Sequence, residues 1–182
     1  MKAIYIIFLI FLSSFIIVQA DETTSISFES AADGYTLSED KGTVTIIDEG
    51  SYDLNGFLYN KKILVSSSCT LNLNEFSLTN IGALTPIIIN EDVIVELVLT
   101  GDSYLIDSET NENDGAIYLQ RGASLTISGT GTLNINPNKL MAINGTEGTS
   151  LAVNDGATIR ITSDSSNVGG IYLRKTLIHL LT

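Results

Sequence analysis

Cysteine and histidine are nearly missing: one of each stands in 182 residues. Cys69 has no partner within the chain, so no intrachain disulfide braces the fold. No Cys/His metal spacing, nucleophile motif or phosphate-binding loop is present. Basic residues are also few. All 21 acidic residues follow Ala20, and removing Lys2 leaves 8 basic ones, a net charge of −13 for residues 21–182. That balance argues against nucleic acid as a partner; it suits solubility, bound Ca²⁺ or a neutral ligand. Beyond residue 20 no apolar run is long enough to span a bilayer. Before it, Met1-Lys2, the apolar stretch Ala3–Val18 and the Val18-Gln19-Ala20 junction predict a secretory signal peptide over residues 1–20. Ser13 and Ser14 break the run, which favours cleavage over an anchor. The expectation is a secreted or cell-surface protein with no membrane span after cleavage.

What is present is a repeat. From Gly115 to Asn136 the chain reads GAIYLQRGASLTISGTGTLNIN, with apolar alternations Ile117/Leu119, Leu125/Ile127 and Leu133/Ile135. Period two is that of a half-buried strand, and Gly122, Gly129 and Gly131 mark the turns. The pattern returns in MAINGTEGTSLAVNDGATIRIT, from Met141 to Thr162. A first strand recurs at Ile63, Ile87, Ile117, Ile143 and Ile171, in steps of 24, 30, 26 and 28 residues. A second is read at Val44, Leu71, Leu97, Leu125 and Leu151. The third is read at Tyr52/Leu54, Leu133/Ile135 and Ile159/Ile161, with Thr79/Ile81 slipped by one and Leu105/Asp107 missing an apolar residue. The period predicts an all-β solenoid with coils of about 26–28 residues and three short strands each. One coil cannot bury its own apolar face, so stability must come from stacking and from closed ends.

The domain expectation is a signal peptide at 1–20, an N-terminal extension or cap at 21–41, and a solenoid over 42–182 whose sixth coil is truncated. The polar run Asp107–Asp114 spans the 30-residue step and reads as an insertion.

The motifs GTVTI, GSYDLNG, TLNLNEFSLTN, GAIYL, SLTISGTGTLNIN and LAVNDGATIRIT, over Gly42–Arg174, resemble those of secreted carbohydrate-binding-domain proteins. That resemblance implies a right-handed parallel β-helix of the pectate-lyase type, binding acidic polysaccharide such as polygalacturonate, with bound calcium. It implies a binding module rather than an enzyme. A polysaccharide lyase or its degenerate relative, and a structural or adhesive surface solenoid, stay open as alternatives.

Rings stack on sugar C–H faces, while amides and cations meet hydroxyls and carboxylates. The outward residues of the first strands read Leu64, Ile88, Tyr118, Asn144 and Tyr172, with Gln120, Thr146 and Arg174 alongside and Arg121, Glu147 and Lys175 beyond. Tyr118, Arg121, Asn144, Tyr172, Arg174 and Lys175 are therefore the candidate carbohydrate-binding residues; the plainer reading is a decorated sheet with an Arg121–Glu147–Lys175 charge ladder. Asn144-Gly145-Thr146 is the one N-glycosylation sequon, and a glycan on Asn144 would cover the same face. For calcium, Asp107, Glu109 and Asp114 offer hard oxygen ligands, though Gly115 and Tyr118 fall where an EF-hand does not allow them. A solvated loop explains the same residues. Lys139 and Arg160 are the cations a lyase would draw on, and His179 reads as a packing or surface residue.

Overall fold

The computed structural model describes residues 23–81, 84–107, 115–137, 141–154, 156–163 and 169–174, and the backbone of 178–180. An N-terminal pair, β1 (Thr23–Ser25) and β2 (Tyr35–Leu37), precedes the coils. The first coil holds β3 (Thr43–Ile46) and β4 (Gly50–Tyr59), and the second β5 (Lys62–Val65) and β6 (Cys69–Asn80). The third holds β7 (Ile87–Ile89), β8 (Ile94–Thr100) and β9 (Asp102–Asp107). In the fourth lie β10 (Gly115–Leu119), β11 (Ser124–Gly129) and β12 (Thr132–Asn136). The fifth comprises β13 (Met141–Gly145), β14 (Ser150–Val153) and β15 (Thr158–Ile161). A sixth opens with β16 (Ile171–Leu173) and β17 (Ile178–Leu180). No helix occurs among the described residues.

Successive coils pair in parallel, which makes the molecule a parallel β-solenoid. First strands stack into one sheet, in the order β16-β13-β10-β7-β5-β3-β2. Second and third strands share a bent sheet, in which β4 and β6 run through both positions before β8/β9 separate them. Val44, Ile63, Ile87, Ile117, Ile143 and Ile171 lie in one register, and all but Ile171 are buried. The first-strand steps read from the sequence hold. Each such aliphatic contributes roughly 1.5–3 kcal/mol on burial, and side chains from adjacent coils fill one continuous core.

Three register assignments need correction. Val44 belongs to the first-strand column, not the second. Tyr52 and Leu54 face Leu71 and Leu73, so they are second-strand residues. Leu71, Leu97, Leu125 and Leu151 do not form one column: Leu71 and Leu97 continue into Ile127, whereas Cys69, Val95, Leu125 and Leu151 form another. The slip in the third strand is larger than one residue: Leu133 and Ile135 pair with Ser103 and Leu105, not with Leu105 and Asp107. Phe76 and Leu78 point inward in place of Thr79 and Ile81, and Leu78 stacks on Leu105, which stacks on Ile135. Its origin is local, because Glu75 adopts a left-handed φ of 48° at the bend. Asp107 ends β9 opposite Asn80, and both are fully buried. Asn80 ties neighbouring turns together, its amide donating to Lys61 O at 2.9 Å and its Oδ1 accepting from Lys61 N at 3.0 Å.

The N-terminal segment covers the first coil. β1 adds a parallel strand to β4, and β2 adds an antiparallel one to β3. Phe28 and Tyr35 bury their rings there, and the Tyr35 hydroxyl donates to Ser30 O at 3.2 Å. An exposed sheet edge would otherwise invite a further strand.

Candidate functional site

From β5 onward the first-strand sheet turns outward the residue that follows each isoleucine of the buried column. Ile88, Tyr118, Asn144 and Tyr172 stand in register on four successive coils. At about 4.8 Å per coil, the two tyrosine backbones lie about 9.6 Å apart with the amide between them. Tyr172 is 49% exposed, Tyr118 is half-buried, and Ile88 is buried although it points outward. The open part of this face is thus its C-terminal part.

A tier of turn residues follows the strands. Backbone bonds from Gln120 N to Ile89 O (2.9 Å), Thr146 N to Leu119 O (3.0 Å) and Arg174 N to Gly145 O (3.0 Å) keep Gln120, Thr146 and Arg174 stacked. The exposed Arg174 therefore lies one ladder step beyond the tyrosine column. Arg121 is in the next tier, where Gly122 N donates to Glu147 O at 3.1 Å and Asp92 N to Arg121 O at 3.0 Å. Its guanidinium pairs with Glu91 Oε2 at 3.0 Å, and this contact, helped by Asp92 and Glu147, holds its pKa above the ordinary value. The charge ladder of this tier accordingly runs through Glu91 on the preceding coil. Both partners are exposed, so solvent screens the pair.

Gly122 permits the close stack. Its φ is +73°, and a Cβ there would run into the Asp92 carboxylate.

Lys175, Glu109, Asp114 and Lys139 lie outside the described residues, as does the 1–20 stretch. His179 pairs in the ladder with Ala152. Arg160 stands on a different face from Arg174, outward on β15 beside Asn134. Asp107, the described member of the proposed calcium set, has the hard oxygens that suit the ion but is buried at the end of β9. Among the described residues no three or more of His, Cys, Asp and Glu gather as a metal group.

Sequence reasoning passed over a second set of rings. Phe57, Tyr59 and Tyr104 project from the third-strand positions of β4 and β9, and all three are exposed. The signal was the alternation Phe57/Tyr59 directly after Gly56.

The model of the family described as carbohydrate-binding domain-containing protein matches residues 40–172, well over half of the chain. The chain belongs to this family. That membership supports a carbohydrate-binding, non-catalytic role and a polysaccharide partner for the coils described above. Searches of curated proteins and of solved structures returned no match. Among the described residues no helix is long and apolar enough to cross a membrane.

Proposed function

We propose that this carbohydrate-binding domain holds an acidic, pectin-like polysaccharide against the C-terminal part of its first-strand sheet and performs no chemistry on it. The observation that carries the reading is the registered Tyr118–Asn144–Tyr172 column with Arg174 one step away. The rings offer stacking surface, the amide answers hydroxyls, and Arg174 answers a uronate carboxylate in a charge-assisted contact. Arg121 joins in by exchanging Glu91 for the ligand, and Lys175 extends the cationic rim. Secretion or attachment at the cell surface, where such polymers lie, belongs to the same reading, as does calcium held by Asp107, Glu109 and Asp114.

The test is affinity electrophoresis in gels containing polygalacturonate, at low and high salt. Wild type should be retarded. Tyr172→Ala should reduce retardation at both salts, and Arg174→Ala chiefly at low salt, because screening already weakens the charge contact at high salt. Equal retardation of wild type and both variants would remove the face from consideration. Release of unsaturated uronides during the run would favour the lyase alternative.

A further inference from the structure

Asparagine is followed by glycine twice in the chain, at Asn55-Gly56 and at Asn144-Gly145. The pair is reactive by itself. Glycine has no Cβ to shield its backbone nitrogen, so that nitrogen can reach the Cγ of the asparagine before it. Ring closure needs the Asn–Gly peptide to turn out of the extended conformation, and the fold decides where that turn is open.

At Asn55-Gly56 the chain is open. Both residues are exposed, and Gly56 has already left the extended region, with φ at +76° and no atom within 4 Å of where a Cβ would stand. The ladder is interrupted there as well. On one side β4 pairs with β6 at Asn55/Asn74 and resumes at Phe57/Ser77, so Gly56 has no registered partner. On the other side β1 ends its pairing at Asp53, where Ile26 N donates to Asp53 O at 3.0 Å.

Asn144-Gly145 is the opposite case. Gly145 pairs with Leu119 on the coil before and with Leu173 on the coil after. It is buried, and side-chain atoms of Thr149 and Leu173 crowd the place of its missing Cβ. Arg174 N donates to Gly145 O at 3.0 Å. Turning this peptide breaks the ladder on both sides, which takes a local opening of the coil.

We infer that Asn55 is a site of spontaneous deamidation in the folded protein, and that the fold protects Asn144 from the same reaction. The Gly56 nitrogen attacks Asn55 Cγ: an N–Cγ bond forms, the Cγ–Nδ2 bond breaks, and Nδ2 leaves as ammonia with the proton that the Gly56 nitrogen gives up. Water then opens the resulting succinimide at either carbonyl and leaves aspartate or isoaspartate at position 55. The isoaspartate form is the one that isoaspartyl methyltransferases accept.

The fold also keeps the product. Isoaspartate runs the backbone through Cβ and so adds a carbon to β4. In the same interval β6 carries Glu75 and Phe76 opposite Gly56 alone, so β4 is the shorter strand there and takes up the added length. The new carboxylate lies two residues from Asp53, whose own carboxylate accepts from Asn72 Nδ2 at 2.9 Å. Conversion makes this outward face more acidic and leaves the buried columns in place.

The test incubates the full chain, made in bacteria so that Asn144 carries no glycan, folded in buffer and in parallel unfolded in urea. Isoaspartate is measured by methyl transfer from S-adenosylmethionine with an isoaspartyl methyltransferase and located by peptide mapping. In the folded protein position 55 should convert at least about tenfold faster than position 144, because only the latter waits on a local opening. In urea the two should convert at similar rates. Asn55→Gln should remove the folded-state signal at that position, and Gly56→Ala should slow it sharply. If Gly56→Ala melts early, Asn55→Gln carries the test alone. Converted protein, separated by anion exchange, should melt with the unconverted protein. Equal conversion of the two positions in the folded protein, or no conversion at position 55 while the urea sample converts, overturns the inference. Early melting of the converted protein would overturn the retention of its product.

Discussion

Leu97 lies in register with Ile127, two residues beyond Leu125, while Leu125 stacks between Val95 and Leu151. Leu125 is thereby held on both sides by buried side chains of neighbouring coils and is 1% exposed. Leu125→Ala should destabilise the protein by about 2–5 kcal/mol, because backbone ladders above and below keep the cavity from collapsing. Thr126→Ala, on the outward side of the same strand, should stay within about 0.5 kcal/mol. Urea denaturation of both variants decides it. Comparable losses would mean that the facing of β11 is wrong.

That register was not legible from pattern alone, for a physical reason. A one-residue slip turns a strand inside out, but a two-residue slip leaves every side chain on its proper face. β8 carries Val95, Leu97 and Leu99 inward and adds Ile94 and Val98 outward, so its alternation offers several equivalent alignments. The first strands were legible because each is a short isoleucine-bearing segment bounded by turns. Val44 was misassigned because the first coil lacks a preceding coil to set its phase. The tyrosine column followed from the correct first-strand phase. The register shift at Asn55/Phe57 and the left-handed Glu75 reset the phase of β6 alone and hid the third-strand alignment, although Phe57 and Tyr104 keep the alternation of their own strands.

Cys69 begins β6 with its side chain in the core, and burial pushes its thiol up to about 12 from an ordinary 9.0. The native state therefore favours the neutral thiol. Its stabilising effect is complete below the unfolded value and is lost as pH rises from about 9 towards 12. Alkaline melting should show a loss on the order of 2 kcal/mol by about pH 10.5, and Cys69→Ala should flatten that slope. Tyr52, also raised by burial, acts in the same direction, so some slope remains. In the native protein at pH 8 the thiol should resist a disulfide reagent that labels it at once after unfolding. Rapid labelling of the native state would contradict the burial.

Gly129 closes β11 at φ +96°, and a Cβ there would strike the carbonyl oxygen of Leu99 on the coil before it. Gly129→Ala combines a disfavoured backbone region with a backbone clash, and should cost about 1–3 kcal/mol or more. Gly56, at φ +76° with no atom near its missing Cβ, carries only the conformational part. Gly56→Ala should therefore be the milder change when the two are compared by thermal melting.

If Asp107, Glu109 and Asp114 hold calcium, the ion binds the folded chain and stabilises it by mass action. Millimolar Ca²⁺ should then raise Tm, chelator should reverse the gain, and Glu109→Gln/Asp114→Asn should abolish it. Asp107 is left intact because its buried position at the end of β9 gives it a structural role of its own. A Tm indifferent to Ca²⁺ and chelator would leave the 107–114 stretch as an acidic insertion.

Asn144 occupies the centre of the tyrosine column, between Tyr118 and Tyr172 on adjacent coils, and it is also the acceptor of the sequon. In the folded chain the sequon is held in β13, and the Thr146 hydroxyl donates to Leu119 O at 3.3 Å. A transferase needs that segment free, so the modification must precede folding. Once attached, a glycan would rise from the middle of the face and exclude a polymer from both rings. Protein secreted by a glycosylating host should therefore pass through a polygalacturonate gel unretarded until an endoglycosidase trims the glycan. Bacterially made protein and an Asn144→Gln variant from the glycosylating host should both be retarded, the variant less strongly because it keeps an amide at a longer reach. Retention that ignores the glycan would move the acidic ligand away from Tyr118 and Tyr172.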